Sequence, residues 1–182
     1  MNELSLHILD IVQNSIGADA KHIVIEVSED KELDRLCITV SDDGRGMAPD
    51  FLSKVTDPFI TTRTTRKVGL GIPLVKLAAE STGGSLSIES ELGKGTTVKT
   101  VFTLSHIDRA PLGDMAETMA VLLTANPEVG FLYRRRVGQR EFVLDTAQMK
   151  AEVGDIPLNN PEVLLWVKEY IAEKEKELNG GA

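Results

Sequence analysis

Cysteine is nearly absent from this chain: of 182 residues only Cys37 is one, so neither an intrachain disulfide nor a thiolate zinc site can form. Aromatic side chains are scarce too, at 4% with a single tryptophan, so the core has to be built mainly from aliphatic residues. No apolar run approaches the ~20 residues that a membrane-spanning helix needs. The opening residues, Met-Asn-Glu-Leu-Ser-Leu-His, lack the basic-then-apolar order of a signal peptide, and a cytoplasmic location is expected. Positive charge is in deficit: 20 Lys+Arg stand against 28 Asp+Glu, a net charge of -8. That argues against a nonspecific grip on nucleic acid or an anionic membrane, both of which need clustered cations. What remains is ordinary globular composition, 26% charged and 42% hydrophobic, which excludes disordered, collagenous and low-complexity chains and suits one domain or one and a half.

Along the chain, Leu4, Leu6, Ile8, Leu9, Ile11, Val12 and Ile16 predict a helix over 3–16 with a wide apolar face. Glu3, His7, Asp10 and Asn14 fall at i, i+4, i+7 and i+11 and form one polar stripe on it. His7 is expected at the rim, bonded to Glu3. Two strands follow, His22 to Ser28 and Leu36 to Ser41, joined by a charged turn, and Cys37 is expected in their core. The second strand runs into Asp42-Asp-Gly44-Arg-Gly46-Met47. Residues 48–71, dense in Thr, Arg, Pro and Gly, read as a long functional loop. A helix over Ile72 to Ser81 ends at Gly83-Gly84, and strands Ser85 to Ser90 and Thr96 to Leu104 flank Gly93-Lys-Gly95. This order implies an α+β sandwich with helices on one face of a mixed, mostly antiparallel sheet. A boundary is expected at 104/105, followed by a small α-β-β-α domain to which no motif assigns a role: helix Gly113 to Thr124, hairpin Phe131 to Val137 and Glu141 to Thr146, and helix Pro161 to Leu178. There Arg134-Arg135-Arg136 reads as a solvated face, with contact to an acidic partner or phosphate as the alternative. Trp166 and Tyr170 read as packing against the hairpin, with a docking face as the alternative.

Four elements need a common explanation, and the requirements of ATP with magnesium supply one. Asp42 at a strand end can accept the adenine amine, Gly44 and Gly46 leave space for the ring, and Met47 offers it a polarisable surface. Gly69-Leu70-Gly71 at a helix start offers backbone N–H groups to the phosphates, and Arg63, Arg66 and Lys67 offer cations. Magnesium needs hard oxygen ligands and keeps several waters, so the amide of Asn14 together with phosphates suffices.

The set resembles the GHKL superfamily, with its Bergerat-type nucleotide pocket. The N box matches at Asp10-Ile-Val-Gln-Asn14-Ser-Ile-Gly-Ala, the G1 box at Asp42 to Met47 and the F region at Asp57-Pro-Phe59-Ile-Thr61-Thr62-Arg63. The G2 box matches at Gly69-Leu70-Gly71-Ile72 and the G3 region at Gly93-Lys-Gly95-Thr96. Residues 3–104 are covered, and the run from Pro58 to Thr96 is most similar to the catalytic ATP-binding domain of sensor histidine kinases. The resemblance implies an ATP- and Mg2+-dependent kinase-type protein of two-component signalling, with a lid over 51–71 ordered through Thr61, Thr62 and Arg63. Such a kinase needs a phosphoacceptor histidine on a helical hairpin before the N box. His7, His22 and His106 are each followed by isoleucine, so transfer to a protein partner in trans is expected. Gly17 stands where kinases often carry a lysine. In the ATPase branch a glutamate four residues before the asparagine activates water, and Asp10 holds that place. A slow ATPase switch with Asp10 as general base, or a nucleotide sensor without turnover, are therefore the alternatives. Homodimerisation outside the pocket is a further expectation from the resemblance.

Overall fold

The computed structural model describes residues 3–56 and 71–180. The first helix, α1 (Leu4–Gly17), has no side-chain cap at its start. Its first N–H groups are satisfied instead from far along the chain: Leu4 N donates to the Pro111 carbonyl at 2.9 Å and Ser5 N to that of Leu112 at 2.7 Å. A helix leaves about four such donors without intrahelical partners, so the segment after residue 105 completes the helix that opens the chain.

Strands β1 (His22–Asp30) and β2 (Arg35–Asp42) pair antiparallel, with Ile25 opposite Val40 and Val27 opposite Ile38. A short helix α2 (Pro49–Leu52) follows, and α3 (Gly71–Glu80) leads into β3 (Ser85–Glu91) and β4 (Gly95–Thr103). The rest of the chain forms α4 (Met115–Ala125), β5 (Gly130–Val137), β6 (Arg140–Asp145), α5 (Thr146–Val153) and α6 (Pro161–Leu178). All three of these helices start on capping side chains: Asp114 accepts from Glu117 N at 2.9 Å, Asp145 from Ala147 N at 2.9 Å and Asn160 from Glu162 N at 2.8 Å. Such caps each stabilise a helix by about 1 kcal/mol. Helix α5 was not expected. Its sequence, Thr-Ala-Gln-Met-Lys-Ala-Glu-Val, has too little apolar contrast to announce itself.

The six strands of the described residues form one sheet in the order β3-β4-β2-β1-β5-β6. Among the described residues only the β1–β5 pairing is parallel, with Ile25 opposite Tyr133, so the sheet is mixed and mostly antiparallel as expected. One face carries Ile23, Ile25, Val27, Leu36, Ile38, Val40, Phe102, Phe131 and Tyr133, all buried, and the helices pack against it. Burying each of these side chains contributes about 1.5–3 kcal/mol. The opposite face is polar and half-exposed.

That division corrects two expectations. Cys37 lies between Leu36 and Ile38 in a strand of period two, so it points away from the core and is only half-buried. Of the three consecutive arginines, Arg134 and Arg136 lie on the half-exposed face as expected of a solvated run, and Arg135 between them does not. Arg135 is 3% exposed, with Nη2 2.6 Å from Glu29 Oε2 and Nε 3.2 Å from Glu175. Arg134 pairs with Glu26 at 2.9 Å, and Arg136 with Glu141 at 2.9 Å. Burial works against the Arg135 charge, but Glu175 and Glu29 outweigh it and raise its pKa. Tyr133 donates to the same Glu175 at 3.0 Å, which ties α6 to the sheet.

Candidate nucleotide-binding site

The end of β2 and the first helix meet at one carboxylate. Asp42 Oδ1 accepts from Gly44 N at 2.9 Å and from Thr96 N at 3.3 Å, and Oδ2 accepts the Ser15 hydroxyl at 2.5 Å. A carboxylate offers about four acceptor positions. Three are used to fix its orientation, which leaves one for an outside donor. Thr96 joins through its side chain as well: Ser90 Oγ lies 2.8 Å from Thr96 Oγ1, and Ser90 in turn accepts from Met47 N at 2.8 Å. Asp42, Gly44, Met47 and Thr96 are thus brought together.

The glycines have a reason that spacing alone did not reveal. Gly46 has φ +73, and a Cβ on it would overlap the Glu91 carbonyl oxygen. Gly95 has φ +119, and a Cβ there would overlap the carbonyl oxygen of Asp42 itself. Both admit close backbone approach, which lets β4 and the 44–47 turn close around the carboxylate.

On α1, Asn14 presents a buried Nδ2 with no hydrogen-bond partner among the described residues. An unpaired buried amide N–H costs about 1–3 kcal/mol. One turn earlier Asp10 is half-buried, and that burial raises its carboxyl above the ordinary value. Helix α3 starts against it: a Cβ on Gly71 would lie 3.3 Å from Asp10 Cβ. Ile72, the next residue, is buried in the core. Phe59, Thr61, Thr62, Arg63, Lys67, Gly69 and Leu70 lie outside the described residues, as does Arg66.

His7 departs from the sequence expectation. It is 5% exposed rather than at the rim, and its Nδ1 has no partner among the described residues. Burial lowers its pKa, so it sits on the helix as a neutral imidazole near pH 7.

Sequence reasoning missed Ser15 and Ser90. Ser15 continues the apolar stripe Leu4, Ile8, Ile11 at i+11 and is 3% exposed. A hydroxyl on a core stripe signals a fixed buried partner. Ser90 had no such signal, because β3 alternates half-buried and exposed residues throughout. Beside Asp42 a cleft of about 300 Å³ is lined by Ser90, Lys94, Gly95 and Thr96 among others. A larger one, about 910 Å³, lies at the far end of the sheet between the β1–β2 and β5–β6 turns and contains none of these groups.

A family model described as histidine kinase-, DNA gyrase B-, and HSP90-like ATPase matches residues 2–106. Sporulation kinase C of Bacillus subtilis is 34% identical over 103 residues, 57% of this chain and 24% of that protein. Sensor histidine kinase ZraS of Salmonella typhimurium is 35% identical over 104 residues, 57% of this chain and 21% of that protein. The chain thus spans about a quarter or less of these relatives. Among solved structures, the N-terminal domain of a DNA repair protein superposes with a TM-score of 0.54 at 18% identity, over 80% of this chain and 53% of that one. The likeness is one of fold alone. It covers more of the chain than residues 2–106 amount to, so part of the segment beyond the family match belongs to the shared architecture, an α+β layering of the Bergerat type.

Proposed function

Because this chain belongs to the histidine kinase-, DNA gyrase B- and HSP90-like ATPase family, we propose that it binds ATP with Mg2+ at the Asp42–Asn14 site and passes the γ-phosphoryl group to an acceptor on another protein. The observation that carries this reading is the state of the two polar groups. Asp42 is fixed by three hydrogen bonds with an acceptor position to spare, and Asn14 keeps a buried amide without a partner among the described residues.

Asp42 accepts the exocyclic amine of adenine, which a guanine base could not supply at that position. Met47 packs beside the ring. Asn14 is the residue to hold magnesium through its side-chain oxygen, while its unpaired Nδ2 is a donor for a phosphate oxygen. An ion of this kind shares its shell between one protein oxygen, phosphates and water, and neutralises phosphate charge when bound. In this reading Thr61, Thr62, Arg63 and Lys67, with the N–H groups of Gly69-Leu70-Gly71, are the groups that would serve the phosphates. In phosphoryl transfer a protein chiefly positions and stabilises charge, and the acceptor supplies the nucleophile. An acceptor in trans is in keeping with the burial of His7, the histidine on the same helix as Asp10 and Asn14.

A second reading has its own support. Burial raises the pKa of Asp10 one turn from Asn14, which makes it a better general base for water near neutrality. Slow hydrolysis would then drive a switch. ATP labelled at the γ-phosphate, incubated with Mg2+ alone and with candidate partner proteins, separates these readings. Label on a partner supports transfer, and release of free phosphate that falls in Asp10→Asn supports hydrolysis. Binding with neither leaves a nucleotide sensor.

A further inference from the structure

Helix α6 carries a surface that the nucleotide reading does not use. Glu162, Trp166, Glu169 and Glu173 fall at i, i+4, i+7 and i+11, one stripe along the helix. Trp166 is 48% exposed and Leu165 beside it 57%. The indole is not loose: it stacks on Tyr170 with centroids 5.0 Å apart and planes 16° from parallel, and Tyr170 meets Phe142 of edge strand β6 edge-to-face at 6.2 Å. One face of the indole is therefore occupied by tyrosine, and the side chain is pre-positioned with half its surface in water.

The charges around it are equally specific. Lys168 is engaged by Glu117 at 2.8 Å, and Lys174 by Glu177 at 3.4 Å while lying over the Tyr170 ring. Glu162, Glu169 and Glu173 have no ion-pair partner among the described residues, and Lys176, one turn beyond Glu173 on the same stripe, offsets them only in part. A rigid indole with a free face among unpaired carboxylates complements a guanidinium group, which stacks flat on an aromatic ring while donating to carboxylate oxygens. We propose that this stripe docks an arginine-bearing segment of a partner protein, with one arginine over the face of Trp166 that Tyr170 leaves open, bonded to Glu162 or Glu169.

The same chemistry disfavours other occupants. An anionic membrane would be repelled by the three carboxylates. A second copy of this chain is a poor donor, since six of the seven described arginines are held by in-chain carboxylates or carbonyls. The proposal is independent of the nucleotide site, so each can fail without the other.

Trp166 is the sole tryptophan, which makes intrinsic fluorescence a local readout. The full chain is titrated with the peptide acetyl-Arg-Leu-Arg-Arg-Leu-Arg-amide and with the same peptide carrying lysine in place of arginine. The arginine peptide is expected to give a saturable change in emission, at least about fivefold tighter than the lysine peptide. In Glu162→Gln/Glu169→Gln, whose circular dichroism is expected to be unchanged, its affinity falls about tenfold. Equal affinity for the two peptides, equal affinity in the glutamine variant, or an emission change that follows protein concentration without peptide would each overturn the proposal.

Discussion

The hydroxyl of Ser15 donates to Asp42 Oδ2 at 2.5 Å and joins helix α1 to the end of strand β2 across 27 residues of sequence. The residue before it is Asn14, so the two ends of the candidate site, amide and carboxylate, are locked to each other through this contact. Removing the hydroxyl in Ser15→Ala is expected to cost about 1–2 kcal/mol of stability and to weaken ATP roughly three- to tenfold, because the carboxylate loses one of three orienting bonds. Calorimetric titration beside a melting curve checks both, and wild-type nucleotide affinity in a folded variant would contradict the coupling.

Asp10 contributes through its protonation. Its carboxyl is raised by burial, and the neutral amide in Asp10→Asn has nearly the same shape. ATP affinity is expected to change less than about threefold, whereas any phosphate release falls by about a hundredfold or more. In the native chain that release should decline as the pH drops through a pKa above the usual carboxylate range. A flat profile from pH 7 to 4 would remove Asp10 from the role of base.

Arg135 balances two partly buried carboxylates, Glu29 and Glu175. Arg135→Met leaves both without their cation and is expected to destabilise the protein by about 3–5 kcal/mol, a fall in Tm of about 10 °C for a chain of this size. Replacing the whole cluster in Arg135→Met/Glu29→Met/Glu175→Leu is expected to recover most of that loss, since an apolar cluster carries no desolvation penalty. Thermal unfolding of the two variants is the measurement.

Asp43 sets an acid limit. Burial pushes its carboxyl up, but the His22 amide and imidazole and the Lys21 amide outweigh burial and hold the pKa at about 2, below the ordinary 3.8. A depressed carboxyl contributes stability that is fully present above the unfolded value and is lost as pH falls through the folded one. The Tm difference between the native chain and Asp43→Asn should therefore be constant above about pH 5 and shrink between about 4 and 2. Because Asp43 is 44% exposed, solvent screening keeps that difference to a few degrees. A difference that persists unchanged at pH 2 would contradict the assignment.

The elements were legible because their periods were clean: α1, β1, β2 and α6 lie within two residues of the patterns that announced them. The site residues Asp42, Gly44, Met47 and Thr96 were legible as motifs. What the residues could not announce depended on partners distant in sequence. Arg135 reads as one of three solvated arginines until β5 is laid against β1 and α6 is brought over it. His7 occupies the same stripe as Asp10 and Asn14, yet packing against neighbouring elements buries it. Cys37 was misjudged for a local reason, since a period of two sends it to the face opposite Leu36 and Ile38. The capping of α1 by Pro111 and Leu112 left no trace in the local pattern of either segment.

The claim that Asp42 recognises adenine while Asn14 serves the magnesium–phosphate end is tested most directly by titrating ATP with Mg2+ into the native chain and into Asp42→Asn, with folding of both confirmed by circular dichroism. The predicted result is saturable binding to the native chain and a loss of at least about tenfold in Asp42→Asn. Undiminished affinity in the folded variant would contradict the account.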